Sequence, residues 1–374
     1  MKIGEKGRLK NLFAQPDLIC IVKTKRVPFL SLVQLQQGLI MIRLTKLVSV
    51  AGAAVLIAAC GGGGGGGGGR APAVPTAVTI TAANSNDVAA EGFEGSDVLT
   101  NTGNLASSVA GVVTTSTGSR FRLADFASRQ LETLAARQFS SPALVTGVVT
   151  TSSDLCAGGG TVSTTLDDVD NNGRLSSGDT ATGTFANCVE FGVVINGGFT
   201  INNVVVTGTP GVPSASSVGA TFTFNNLSGQ DSTSIATVNG NFNLQAATVN
   251  GVAFDIAITG NNLSIAENGQ TITLSNFSES LNVNRSTSAF SYTVSGTLTS
   301  TRLGGSLTFQ TLVPFSGIEG APPSSGVLKV SGANNTSLTL TALSSTNVRI
   351  DADTNGDGVF DTSTTKTWSE IAAA

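Results

Sequence analysis

From Leu144 to its C-terminus the chain alternates apolar and polar residues with a period of two. The alternation is clear in FGVVINGGFTINNVVVTG and returns in TITLSNF and SLTFQTL, where Thr, Ser or Asn occupy one face. This period places successive side chains on opposite faces of a β-strand and does not fit a helix. Most of the chain is therefore expected to be extended.

The alternating segments number about twelve to fourteen, and short polar turns separate them without intervening helices. We therefore predict a mainly β fold, an antiparallel meander that forms a sandwich, a barrel or a long twisted sheet over residues 144–374. Asn-Gly pairs favour two-residue hairpin turns. Four pairs are interpreted in this way: Asn196-Gly197, Asn239-Gly240, Asn250-Gly251 and Asn268-Gly269.

Residues 76–143 lack this periodicity, and we expect them to be irregular apart from a strand at Ala77–Thr81 and one amphipathic helix. The helix is predicted from Leu123 to Gln138 because its apolar residues recur at helical spacing. Four arginines in or beside this segment give it a basic face: Arg120, Arg122, Arg129 and Arg137. That face is interpreted either as the solvated side of a packing helix or as a surface for lipid head groups.

Residues 41–60 have the layout of an export signal. Arg43 and Lys46 precede an apolar stretch that is too short to span about 30 Å of hydrocarbon. The stretch ends in Leu56-Ile57-Ala58-Ala59-Cys60, which resembles the lipobox of bacterial lipoproteins. The resemblance implies cleavage before Cys60, diacylation of that cysteine and attachment to a membrane. An ordinary signal peptide with an incidental cysteine is the alternative.

The residues on either side of Cys60 refine this prediction. Gly61 stands where some lipoproteins carry an aspartate for inner-membrane retention, so the resemblance implies the outer membrane, on its periplasmic or its surface side. Nine consecutive glycines from Gly61 and a short Pro-rich stretch make residues 60–75 a tether. Residues 1–40 precede a complete signal, so we expect translation to start at Met41.

Two cysteines remain after the anchor, Cys156 and Cys188. In an oxidising compartment such a pair is expected to form a disulfide, and two buried thiols are the alternative. Closing a covalent loop of about thirty residues would stabilise the fold by about 3–4 kcal/mol.

Between these cysteines lies DVDNNGRLSSGD, from Asp168 to Asp179, which we name loop 1. Its spacing resembles the calcium loops of EF-hands and dockerins, with a glycine at position 6 that permits a sharp turn. The resemblance implies calcium bound by side chains at positions 1, 3, 5 and 12 and by a carbonyl at position 7: Asp168, Asp170, Asn172, Asp179 and Arg174. Asp179 replaces the usual glutamate, so the expected affinity is weak.

A second acidic segment, residues 353–361, resembles the same class of loop and is named loop 2. Its candidate calcium ligands at positions 1, 3, 5 and 9 are Asp353, Asn355, Asp357 and Asp361. Thr364 at position 12 is a poor closing ligand, and Asp351 is a candidate additional ligand from the strand side. Both loops concentrate negative charge, which favours a bound cation.

Composition excludes several function classes. The chain has 20 basic and 24 acidic residues, of which nine basic and two acidic residues precede Cys60. The chain from Cys60 onward therefore has 11 basic and 22 acidic residues and a net charge near −11. Such a chain lacks the basic surface that nucleic acids require. There is no histidine, so the catalytic triad and histidine-ligated metal sites are impossible. Lys329 and Lys366 are the only lysines after Cys60, so a Ser-Lys site is poorly supplied.

These features predict a lipid-anchored, calcium-stabilised β domain of the cell envelope without catalysis, whose partners are the membrane and an unknown envelope or surface component. The pattern of cysteines, acidic loop and Asn-Gly pairs also resembles that of uncharacterised β-rich proteobacterial lipoproteins. One alternative is a carrier of a hydrophobic ligand in a half-open barrel, lined by some of the 18 phenylalanines. A carboxylate-based hydrolase is the other, because a glycosidase needs no histidine.

Overall fold

The structure is a computed structural model, and it describes residues 75–96, 148–190, 193–208, 217–230, 235–249, 253–284, 286–318 and 321–372. The predicted helix Leu123–Gln138, residues 1–74 with Cys60, and Asn250-Gly251 lie outside these ranges. The fold below is that of the described residues.

Fourteen strands form one antiparallel sheet in which every strand pairs with its neighbours in sequence. The predicted mainly β meander is therefore confirmed as a single long sheet. The strands are β1 Val148–Leu155, β2 Thr161–Asp168, β3 Thr180–Glu190, β4 Val193–Thr207, β5 Ser217–Gln230, β6 Ile235–Val249, β7 Ala253–Glu267, β8 Gln270–Asn284, β9 Ala289–Ser300, β10 Gly305–Ile318, β11 Ser325–Ser331, β12 Ser337–Ala342, β13 Asn347–Asp353 and β14 Thr362–Thr367.

One face of the sheet carries the core, as the alternation predicts. In β8, for example, Leu281 and Val283 are buried while Ser280 and Asn282 are exposed. Aromatic residues meet across neighbouring strands, and Phe222 of β5 stacks on its partner Phe242 of β6 with 5.3 Å between ring centroids. Such cross-strand pairs fix the register because a slip by one residue would move every apolar side chain to the opposite face.

Asn268-Gly269 forms the predicted two-residue turn between β7 and β8, and both residues have positive φ. The same prediction is wrong for Asn196-Gly197, which lies inside β4, and for Asn239-Gly240, which lies inside β6. The hairpin signal is local, and it does not distinguish a turn from an irregularity within a long strand.

The two Asn-Gly pairs inside strands accommodate β-bulges. Asn196 Oδ1 accepts the backbone N–H of Asn187, and Asn239 Oδ1 accepts that of Asn226, each at 2.7 Å. Asn187 and Asn226 lie at register shifts and have φ near +50° (49° and 47°). A Cβ on Gly197 would lie 2.0 Å from the Asn226 carbonyl oxygen, so glycine is required there for close approach of the backbones.

The N-terminal segment joins the sheet beside the start of β10. Ala77 forms a single parallel bridge with Ser306, so the strand predicted at Ala77–Thr81 is reduced to one bridge. The sequence predicts residues 76–143 to be irregular apart from that strand and the helix Leu123–Gln138. This prediction is wrong for residues 85–96, which form helix α1. Two glycines lower its helix propensity and concealed it from sequence reasoning.

Those glycines are explained by packing. A Cβ on Gly92 would lie 2.6 Å from Val330, and one on Gly95 would lie 2.5 Å from Leu298. The helix therefore approaches the core face of β9 and β11 more closely than alanine would permit. The buried Glu91 forms an ion pair with Arg302, in the turn between β9 and β10, which fixes the helix to the sheet.

A short C-terminal helix, α2 (Trp368–Ile371), follows β14 and begins with a capping box between Thr367 and Glu370. Its Trp368 is buried, lies 4.7 Å from the ring of Phe93 in α1 and donates its indole N–H to the Ser344 carbonyl. Both helices therefore contribute to the same apolar cluster as the core face of the sheet.

Candidate metal centre

Loop 1 connects β2 to β3, and three of its predicted ligands converge. Asp168 is the last residue of β2, and Asp179 immediately precedes β3. Carboxylate oxygens of Asp168, Asp170 and Asp179 all lie within 4.8 Å of one another. Asp168 and Asp179 are buried and Asp170 is exposed, so the cluster is open to solvent on one side only.

Backbone N–H groups hold the loop 1 side chains in place. Gly173 N–H donates to Asp168 Oδ2 at 2.6 Å, Asn172 N–H to Asp170 Oδ1 at 3.2 Å, and Arg174 N–H to Asn172 Oδ1 at 2.7 Å. Gly173 has φ of +74°, which confirms the sharp turn predicted at position 6. Coordination by the Arg174 carbonyl stays a prediction.

Ser176, at position 9 of loop 1, was not among the predicted ligands. Its Oγ donates to Asp170 Oδ2 at 3.1 Å and to Asp179 Oδ2 at 2.9 Å, so it links position 3 to position 12. Position 9 is a ligand position in EF-hand loops, so the spacing of loop 1 contains the information needed to identify Ser176 as a candidate ligand.

Loop 2 connects β13 to β14, and its hydrogen bonds repeat those of loop 1. Gly358 N–H donates to Asp353 Oδ2 at 2.8 Å, Asp357 N–H to Asn355 Oδ1 at 2.8 Å, and Val359 N–H to Asp357 Oδ1 at 2.8 Å. These bonds join positions 6 to 1, 5 to 3 and 7 to 5, as in loop 1. The two loops therefore share their local hydrogen bonding, but among the described residues only loop 1 brings three carboxylates within 4.8 Å of one another.

The loops differ in how they close. In loop 1 the position 12 residue, Asp179, accepts the N–H of Val169 at position 2. In loop 2 Asp361, at position 9, accepts the N–H of Thr354 at position 2. Since β14 begins at Thr362, loop 2 ends three residues earlier, and the exposed Thr364 lies in a strand.

Asp351 faces other partners. Its Oδ2 accepts Arg349 Nε at 2.7 Å and its Oδ1 accepts Ser363 Oγ at 2.6 Å. Both oxygens are therefore engaged between β13 and β14, and the candidate role of Asp351 as a ligand of loop 2 has no support in these contacts.

Two of the loop carboxylates have perturbed acidity. For Asp170, burial acts to raise the pKa, but hydrogen bonds from Ser176 and Asn172 outweigh burial and the pKa is lowered. Hydrogen bonds from the side chain and backbone of Thr354 lower the pKa of Asp361. Both groups are ionised at neutral pH, as calcium ligands must be.

The two loops occupy opposite ends of the sheet. Successive turns of an antiparallel meander alternate between its ends, and loop 1 follows an even-numbered strand while loop 2 follows an odd-numbered one. Loop 1 is also one strand from the β1 edge, whereas loop 2 adjoins the β14 edge. The two loops are therefore independent of each other.

Cys156 and Cys188 are joined in a disulfide with 5.4 Å between their Cα atoms, as predicted. Cys156 follows β1 and Cys188 lies near the end of β3, so the bond is at the opposite end of β2 from loop 1. It closes the covalent loop that contains loop 1 but does not touch the acidic cluster.

Neither helix of the described residues, α1 or α2, has the length and apolar character needed to span a bilayer. Comparison of the chain with protein families, with curated proteins and with solved structures found no match.

Proposed function

We propose that this chain is a lipid-anchored, calcium-stabilised β domain of the bacterial cell envelope with a structural or interaction role and no catalysis. The observation that carries the calcium part of the proposal is the convergence of Asp168, Asp170 and Asp179 within 4.8 Å, and the lipid anchor rests on the sequence around Cys60. Three like charges at this separation repel one another, and a divalent cation with oxygen ligands would neutralise them.

A polar sheet face supports the interaction role. Asn203 Nδ2 donates to Thr221 Oγ1 at 3.2 Å, and Thr221 Oγ1 donates to Asn243 Oδ1 at 2.8 Å, so exposed polar side chains link β4, β5 and β6. A surface of uncharged hydrogen-bonding groups suits contact with a polar envelope or surface component.

Membrane attachment through Cys60 rests on the sequence of residues 41–60 and is tested by cell fractionation. We expect the wild-type chain in the outer-membrane fraction, and Cys60→Ala in the soluble fraction or unprocessed. Cys20→Ala is the matched control and should fractionate as wild type, because Cys20 precedes Met41. A Cys60→Ala chain that is processed and retained in the membrane like wild type would overturn the anchor.

Calcium binding is tested by titration calorimetry of the chain purified from membranes. We expect two weak sites in the wild type and one after Asp168→Ala with Asp170→Ala. The expected dissociation constants are about 10⁻⁴–10⁻³ M, as for extracellular calcium modules. Heats of calcium addition no larger than those of dilution would remove the metal from the proposal.

A further inference from the structure

Loop 2 exposes two consecutive apolar side chains, Val359 and Phe360, where the chain returns toward β14. Val359 is 67% exposed and Phe360 is 50% exposed, although the core of the same sheet buries most of its phenylalanines. Single exposed apolar residues are common, but an adjacent aliphatic and aromatic pair in a turn, named here the apolar pair, forms a compact apolar contact.

The apolar pair lies at the end of the sheet where the chain arrives from its N-terminal side. Ser306 N–H, at the start of β10, donates to the Thr76 carbonyl at 3.0 Å. Thr79, three residues after Thr76, accepts a hydrogen bond at its Oγ1 from Asn334 Nδ2 at 3.2 Å. Asn334 lies in the turn between β11 and β12. Gly356 in loop 2 packs against the backbone of the same Asn334, because a Cβ on Gly356 would lie 2.3 Å from the Asn334 carbonyl oxygen. Asn334 therefore joins the arriving chain to loop 2.

The chain between Cys60 and the sheet is short. Fifteen residue steps separate Cys60 from Pro75, and nine of the residues are consecutive glycines. A glycine-rich chain of this length has a root-mean-square span of roughly 20–23 Å. A lipid on Cys60 would therefore hold loop 2 near the bilayer surface at a high effective concentration.

We propose that Val359 and Phe360 insert into the phospholipid surface that carries the anchor. This inference rests on the proposed attachment through Cys60 and deepens it by assigning a second membrane contact. Two side chains would bind lipid weakly on their own, but on a tethered domain they suffice to select its orientation. The sheet then stands with loop 2 toward the bilayer and loop 1 away from it.

The charges in loop 2 make this contact dependent on calcium. Three aspartates lie on the same loop, Asp353 buried and Asp357 and Asp361 exposed, and their negative charge opposes the approach of the apolar pair to anionic head groups. The basic residues of the flanking strands are engaged elsewhere, Arg349 with Asp351 and Lys366 with Glu370. A cation in loop 2 removes the repulsion and permits insertion.

The test uses fluorescence quenching in the full-length chain, purified from membranes and reconstituted in phosphatidylcholine and phosphatidylglycerol vesicles that contain brominated phospholipid. Phe360→Trp reports on the apolar pair, and Val169→Trp is the matched control, since Val169 is 52% exposed in loop 1 at the other end of the sheet. The native Trp368 is buried, and the wild-type signal is subtracted as background. In calcium, we expect brominated lipid to quench most of the fluorescence of the tryptophan introduced by F360W, and in EDTA little of it. The tryptophan introduced by V169W should not be quenched in either condition.

The outcomes separate the two proposals. Vesicle flotation first establishes whether the protein is membrane-bound, and failure to float overturns attachment through Cys60. If the protein floats but F360W is quenched no more than V169W, the apolar pair is not a lipid contact and the anchor stands. If quenching of F360W is equal in calcium and EDTA, the calcium dependence is wrong.

Discussion

Asp361 accepts the backbone N–H of Thr354 through Oδ2 at 2.7 Å and thereby closes loop 2. The sequence register places Thr364 at the closing position, whereas the chain has already returned to the sheet, since Asp361 N–H donates to the Ala352 carbonyl at 2.8 Å. Loop 2 is therefore a shortened version of loop 1 in which one aspartate performs the closing function of Asp179.

This relationship predicts which residue calcium requires in loop 2. In a chain whose loop 1 is inactivated by Asp168→Ala with Asp170→Ala, Asp361→Ala should abolish the remaining calcium-induced rise in melting temperature. Thr364→Ala is the matched control and should retain the rise, because Thr364 is exposed on β14. Thermal melts in EDTA and in calcium measure both. Loss of the rise in Thr364→Ala but not in Asp361→Ala would contradict the closure described here.

A second prediction concerns the Asn-Gly pairs. Gly240 has φ of +110°, and a Cβ there would lie 2.0 Å from the Asn262 carbonyl oxygen, so Gly240→Ala combines backbone strain with a clash. We expect it to lower the free energy of unfolding by at least about 3 kcal/mol. Gly269→Ala is the control: its φ is +81° but no atom lies within 4 Å, so the expected loss is about 1–2 kcal/mol. Urea unfolding distinguishes them, and equal losses would mean that the bulge does not need glycine.

These glycines mark the boundary of what the sequence predicts. Period-two alternation suffices for the sheet, because burial on one face is decided residue by residue. A bulge is decided by the strand beside it, and Asn239 serves the backbone of Asn226, thirteen residues away. Local reasoning therefore identifies Asn268-Gly269 as a turn and misassigns the identical pair at Asn239-Gly240.

The same division applies to the helices and the acidic loops. The sequence does not predict helix α1, because glycines lower helix propensity. Gly92 and Gly95 are needed for close contact with Val330 and Leu298, which are distant in sequence. The loops are recognisable because their candidate ligands and turn glycines lie within twelve residues of sequence. The hydrogen bonds from Gly173 N–H to Asp168 and from Gly358 N–H to Asp353 each join residues five positions apart. The closing residue of loop 2 depends on where β14 begins, which the spacing alone does not determine.

A third prediction follows from the acidity of Asp361. Hydrogen bonds from Thr354 lower its pKa in the folded chain, so the folded state binds a proton less readily than the unfolded state. The resulting stabilisation is present above the ordinary aspartate pKa and is lost as pH falls through the folded value. In calcium-free buffer we expect the melting temperature to decrease below about pH 4, and Asp361→Asn to decrease less steeply. Parallel curves for both chains would show that this carboxylate does not couple folding to pH.

The most direct test of calcium stabilisation is the melting temperature at neutral pH in EDTA and in about 5–10 mM calcium, concentrations that exceed the expected dissociation constants. A cation that binds only the folded loops stabilises by about 1.4–2.7 kcal/mol at ten to a hundred times its dissociation constant, which corresponds to a rise of roughly 3–10 °C. Asp168→Ala with Asp170→Ala should remove one part of the rise, and Asp353→Ala with Asp357→Ala the other, additively because the loops are far apart. Magnesium should substitute poorly, since it demands octahedral geometry. A melting curve that is the same in EDTA and in calcium would contradict the account and leave both loops as acidic turns held by their own backbone.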